Sequence, residues 1–544
     1  MKCNKVLNPI FICNSLICIL FFFLYLFCCK DMIIQLDPLR DAFAPFFSYA
    51  DHGNYVVQAI IRLITFTIPY HIGIHPMDFA ATYGIVFRAT VLVFFGYFLS
   101  FAALKETTIK YLKPILLLLF QLSIMTTLFR SGFWQVECAN GFGRFIIAQL
   151  FLILFWTYFV KFYNKDIQPT RKQMVFLCLF ALIAGNIQEL IAFSSAFSLF
   201  FLIVIDLIKN KKTNRYLVLS LAFVILGGLL MYFNPNYTLA AKSHSGDITF
   251  QSIMLGLKDW KNFFSLYFDT VIKRHLVIHL FILLTIFIGF VKGTRKELVP
   301  PSFLYAGLFT FFLTFIIAKG DITNYLDFLE GDTNYPNFWL THHDFPTIIR
   351  LYLLFVWAMF LNVPLKRMQN NLKDIICMFF IVIIPILFHI LIMPRYALEA
   401  IKDGVFSDLS ERKKECYEID SMTLHYTTRK EPVILFKPRR SYSIFIDYPN
   451  YLEKVYAIEL GIDDITWIDK EIALEKFLES GGKFSEDEFK NIKFASLFEK
   501  YNLKFDNKRP VKLEGWVKEL DNEPRFNVRL RIKNKFLELI DKTN

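Results

Sequence analysis

Apolar blocks close to the length of a membrane crossing alternate with short polar connections through the first three-quarters of the chain. A helix needs roughly 20 apolar residues to cross a bilayer. The pattern predicts spans over 6–29, 80–104, 114–129, 144–163, 173–187, 190–208, 216–233, 276–292, 301–318, 349–365 and 375–393. The first block is long for a secretory h-region and lacks a small-x-small cleavage site, so it reads as an uncleaved span. Beyond Pro394 the periodicity changes. PVILFKP, YSIFIDYP and VYAIELGI read as strands, KEIALEKFLESGG as a helix ending in glycines, and SEDEFKNIKFASLFEKY as a helix opened by a Ser485–Glu488 capping box. The expected fold is an α-helical polytopic membrane domain, residues 1–393, followed by a soluble α+β domain, residues 394–544.

Connections between blocks are of two kinds. Short basic ones (KETTIKYLK, KFYNKDIQPTRK, KNKKTNR, KGTRKE, KRMQNNLK) alternate with long irregular ones near 30–79, 130–143, 234–275 and 319–348. The short set and the N-terminus hold 19 Lys/Arg and, with flanking Asp206 and Asp374, five Asp/Glu; the long side holds 13 and 15. This positive-inside asymmetry places the N-terminus in the cytoplasm and the long connections outside. Eleven crossings then leave residues 394–544 outside the cell's inner membrane. That segment carries 28 charges of each sign, so the chain's formal +12 belongs to the membrane part. A basic pI here reports topology, and nucleic acid is not an expected partner.

Composition adds detail. Most of the 63 Phe lie in the apolar blocks, and seven of nine Cys lie in or beside them, where thiols pack as small apolar groups. Cys138 and Cys416 fall in expected outer segments, but two thiols have no spacing signature. No phosphate-cradling glycine loop, HExxH, CxxC or GxSxG occurs. Adjacent His342 and His343 on an extended chain point apart, which disfavours a zinc site with Asp344.

Long connections attract function, because a connection that only connects stays short. The first, 30–79, is expected to be re-entrant or interfacial. Asp37-Pro38 has the form of an N-cap followed by proline at the first helical position. Asp41 lies one turn further on a similar face. Such a pair can accept a hydroxyl proton or bind a divalent ion, Mg or Mn; equally, both acids can simply favour a helix start. Asp51 and His52 precede a second amphipathic stretch containing Ile60-Ile61-Arg62-Leu63-Ile64. Arg88 lies inside a span, where charges usually face the bundle interior or a wet cavity. Arg130, Trp134, Glu137 and Arg144 crowd one short outer connection; paired arginines suit phosphate and tryptophan faces suit sugar rings. Gln188 and Glu189, in GNIQE, form a polar tip between two apolar blocks.

The order LDPLRDAF…DHGNYVVQAI, GNIQE, then NPNY after the seventh block resembles the GT-C superfamily of polytopic membrane glycosyltransferases. The resemblance spans roughly residues 1–393. It implies a polyprenyl-phosphate sugar donor, an envelope glycan or lipid acceptor, and transfer on the outer face. By position it assigns the catalytic carboxylates to Asp37 and Asp41, four apart where the family commonly has an adjacent pair, which leaves either of them, or Asp51, as the base. Asp51, His52, Arg88, Arg130, Trp134, Glu137, Arg144, Gln188 and Glu189 are the expected substrate-binding residues. A multi-pass lipid or sugar transporter is the rival reading; it predicts internal repeats and discontinuous helices, and no repeat is visible.

Overall fold

The computed structural model describes residues 8–29, 85–104, 109, 111–132, 146–165, 167–233, 264–265, 267–292, 295–319, 344–369, 371–402, 433–437 and 465–469. The helices are α1 (Pro9–Cys29), α2 (Ile85–Leu104), α3 (Leu112–Thr127), α4 (Ala148–Lys165), α5 (Arg171–Ile187), α6 (Glu189–Asn210) and α7 (Arg215–Tyr232). They continue with α8 (Leu276–Val291), α9 (Arg295–Lys319), α10 (Asp344–Leu365), α11 (Leu372–Met378) and α12 (Ile384–Lys402). Wider π-helical turns extend α3 (Leu128–Gly132), lead into α8 (Phe268–Lys273) and join α11 to α12 (Phe379–Ile383).

A helix stands at the position of each apolar block. Seven are long and apolar enough to cross a membrane: α1, α2, α3, α6, α7, α10 and the α11–α12 rod. This is the composition of a polytopic helical membrane protein. Large exposed residues such as Phe23, Phe94, Phe200, Phe287 and Leu391 point away from the bundle. Such faces suit hydrocarbon, and they contribute no hydrophobic drive for helices to associate within a bilayer.

Association rests instead on close packing and buried hydrogen bonds. Helix α10 lies at the centre, with 94% of its most apolar stretch buried, against α2, α3, α4, α8 and α9. Tyr352 Oη donates to Leu304 O of α9 at 2.8 Å, and Trp357 Nε1 donates to Thr285 Oγ1 of α8 at 3.2 Å. Asn362 Nδ2 reaches Ala103 O of α2 at 3.2 Å. Gln121 of α3 joins three helices: it accepts from Tyr25 Oη at 2.9 Å and donates to Val93 O at 2.9 Å. Gly96 leaves room for that amide, since a Cβ there would sit 2.5 Å from Gln121 Nε2. Gly185 and Gly227 bring α5 and α7 into backbone contact in the same way.

The connections define two ends. At the end with short connections, Lys292 pairs with buried Asp374, which also accepts from Gln369 N at 2.7 Å and Asn371 Nδ2 at 3.0 Å. Lys366 meets Glu297 at 2.9 Å. These ion pairs fasten the α8–α9 turn to the α10–α11 turn. The long connections leave from the opposite end.

In the C-terminal segment, Val433–Lys437 (β1) pairs in parallel with Ile465–Asp469 (β2), Val433 opposite Ile465. β1 falls within the expected PVILFKP strand, whereas β2 comes from ITWID, which is not among the expected strands. Parallel strands require a crossover rather than a tight hairpin, and residues 438–464 provide its length. The other expected C-terminal strands and helices lie outside the described residues.

Candidate functional site

At the long-connection end, basic side chains from three helices converge. Arg350 projects from the first part of α10, where only 6% of its surface is exposed. Arg130 sits in the π turn that ends α3; its Nη1 donates to Arg274 O at 2.9 Å, and its Cζ lies 5.8 Å from the Tyr396 ring centre. Arg274 and His275 come directly after the π turn before α8. The π turn of α3 packs against α10 and α12, and the π turn before α8 packs against α10. A π turn carries an extra residue, rotates the helix beyond it and commonly marks functional positions. Here two such turns deliver Arg130, Arg274 and His275 to one place.

Hydrogen bonding there is incomplete. Arg350 Nε and both ring nitrogens of His275 are buried with no partner among the described residues. Among the described residues, the bundle's ion pairs lie at the short-connection end or on exposed helical turns, and none involves Arg350 or Arg130. Burial, and then the charges of Arg350, His279, Arg130 and Arg274, hold His275 well below the ordinary histidine range. A neutral imidazole is therefore surrounded by permanent cations. Orphaned buried donors at a charged site call for an explanation, and an anionic ligand is one.

Two neighbouring histidines differ. His279 Nε2 lies 3.1 Å from Val271 O, which can only accept, so Nδ1 accepts from Tyr305 Oη at 2.5 Å. His389 is flanked by Ser123 Oγ at 2.8 Å and Thr126 Oγ1 at 3.2 Å. Both rings are held by their partners.

The expected site residues divide sharply. Asp37, Asp41, Asp51, His52, Trp134, Glu137 and Arg144 lie outside the described residues, as do Cys138, Cys416, His342 and His343. Arg130 joins the basic cluster. Arg88 is buried in the first turn of α2 at the same end. Gln188 is the single residue between α5 and α6, extended (φ −164°, ψ 144°) and buried; it accepts from Gln149 Nε2 at 3.4 Å. Glu189 opens α6, where a carboxylate complements the positive helix start. Among the described residues, no three His, Cys, Asp or Glu side chains gather closely enough to hold a metal ion.

Arg274, His275 and Arg350 are not among the expected site residues. The signal is present in the sequence, because the rule that singles out Arg88 inside an apolar block applies equally to Arg350 at the edge of another. No family model, curated protein or solved structure matches the chain.

Proposed function

We propose that the chain is an integral membrane glycosyltransferase. It moves a sugar from a polyprenyl-phosphate donor to an envelope glycan or lipid acceptor on the outer face of the inner membrane. The observation that carries this reading is the basic cluster of Arg130, Arg274 and Arg350, with the unpartnered donors at Arg350 and His275. It stands at the end from which residues 30–84 and 133–145 leave, the segments bearing Asp37, Asp41 and Arg144. In this reading all eleven blocks cross the membrane, the long-connection end faces outward, and residues 394–544 form an outer α+β domain.

The chemistry is set by charge. The acceptor oxygen attacks the anomeric carbon as the carbon–oxygen bond to phosphate breaks, and the electron pair leaves with the phosphate. Negative charge grows on that phosphate in the transition state, where fixed cations in a dry site stabilise it most. Asp37 or Asp41 takes the acceptor's proton. A lipid anchor confines the donor to the interface and so lowers the entropy lost in orienting it. If a divalent ion is bound, Asp37 and Asp41 are its expected ligands.

The test is mass spectrometry of envelope glycans from a deletion strain. It is complemented with wild type, Asp37→Asn or Asp41→Asn at matched membrane levels. A sugar-sized mass lost on deletion and restored by wild type, with at least one Asn variant failing, supports the assignment. Full restoration by both Asn variants removes these acids from catalysis. No glycan change on deletion would favour the transporter reading.

A further inference from the structure

His275 is the one histidine at the basic cluster whose ring atoms are both buried and unpartnered among the described residues. Its position is constrained on several sides. Arg274 precedes it, His279 lies one turn along α8, and the charges of Arg350 on α10 and Arg130 on the π turn after α3 act on it. Tyr396 of α12 adds a hydroxyl-bearing ring beneath Arg130. Of the neighbouring histidines, His279 has both nitrogens engaged, by Tyr305 and Val271, and His389 by Ser123 and Thr126.

A neutral imidazole offers one N–H and one lone pair, whereas an imidazolium offers two donors. Beside the arginines alone, a proton on His275 would add a cation to three others. A bound anion offsets part of the arginines' repulsion, its contact with the ring lone pair is unfavourable, and a second N–H toward it becomes favourable. Ligand charge and ring proton are thus thermodynamically linked. We propose that binding of a phosphodiester headgroup to the Arg130–Arg274–Arg350 cluster is accompanied by uptake of one proton on His275. This rests on the transferase reading for the identity of the headgroup, and it adds a pH-controlled grip on the donor. A bound phosphodiester is then held by the arginines and by a charge acquired only on binding.

Full-length protein in detergent is titrated calorimetrically with farnesyl methyl phosphate from pH 7.5 to 5.5, in pairs of buffers that differ in ionisation heat. A phosphodiester keeps one charge across this range, so proton uptake reports the protein. The expected affinity rises by up to about tenfold for each unit of pH lowered, with uptake approaching one proton per ligand. His275→Gln should still bind, with affinity independent of pH; His275→Asn serves the same purpose if glutamine is not accommodated. Dimethyl phosphate, run alongside, separates a lipid headgroup from a free phosphate, and proton uptake with either upholds the coupling. Saturable binding that is flat with pH in wild type overturns the coupling while leaving the transferase reading standing. A slope that survives in both variants also overturns it by placing the proton elsewhere. Absence of binding at every pH, in protein that still restores the glycan, overturns the cluster as the anion site.

Discussion

At the scale of single residues, Arg350 is the most consequential side chain described. A buried guanidinium whose Nε has no partner among the described residues gives up the hydration of that N–H without replacing it. Replacing a buried charge with an apolar side chain of similar volume is often neutral or stabilising. Arg350→Met is therefore expected to unfold in detergent at the same temperature as wild type or above it. It should also lower transfer by on the order of 10²-fold, the typical cost of losing one preorganised donor to a developing charge. Arg350→Lys keeps the charge but loses the forked geometry, so intermediate activity is expected. Thermal unfolding together with glycan restoration checks both. A large loss of stability in the Met variant would assign Arg350 to the scaffold. Arg130 behaves differently, being exposed and anchored through Arg274 O and Tyr396.

At the scale of elements, glycine spacing decides which helices approach closely. A Cβ on Gly185 would lie 2.1 Å from Val224 O, and one on Gly227 would lie 2.3 Å from Leu182 O. A backbone carbonyl cannot swing aside as a side chain can. Gly185→Ala and Gly227→Ala should each cost about 1–3 kcal/mol by forcing α5 and α7 apart. At Gly228 the nearest atom is 3.8 Å away, and alanine there should be neutral or mildly stabilising through helix propensity. Unfolding of the three purified variants under one condition reads the difference directly. Helix positions are legible in the sequence because apolar block length reports the bilayer. Which helices touch is not, because lipid-facing and protein-facing surfaces are almost equally apolar; buried α10 carries Leu353, Leu354 and Phe360, and the exposed face of α8 carries Leu280, Leu283 and Phe287. The candidate site is legible only in part. Arg130 stands out beside other polar residues, but His275 and Arg350 sit at block edges, where a charge resembles an ordinary flank. His275 reaches the cluster directly after a π turn, which the apolar pattern does not encode.

At the scale of the whole molecule, the helices outside the seven that are long and apolar enough to cross come in neighbouring pairs. Helices α4 and α5 are joined through 166–170, and α8 and α9 through 293–294. If neither pair crossed, every other helix would keep its direction, so the ends of the chain cannot distinguish seven crossings from eleven. Only those two connections change sides. Packing favours eleven: α5 lies along α7, a single residue joins it to α6, and α9 lies along α6 and against α10. Each partner is itself long and apolar enough to cross. The charge pattern agrees, since placing KFYNKDIQPTRK and KGTRKE outside would put seven Lys/Arg on the wrong side. Cysteines introduced at Gln168 and Gly293, in a background lacking the native nine, should therefore resist a membrane-impermeant maleimide in intact cells and react after permeabilisation. A cysteine at Asn236, beyond α7, should react without permeabilisation. Labelling of Gln168→Cys in intact cells would leave α4 and α5 as a hairpin that does not cross. It would also place a basic connection on the side assigned to the donor.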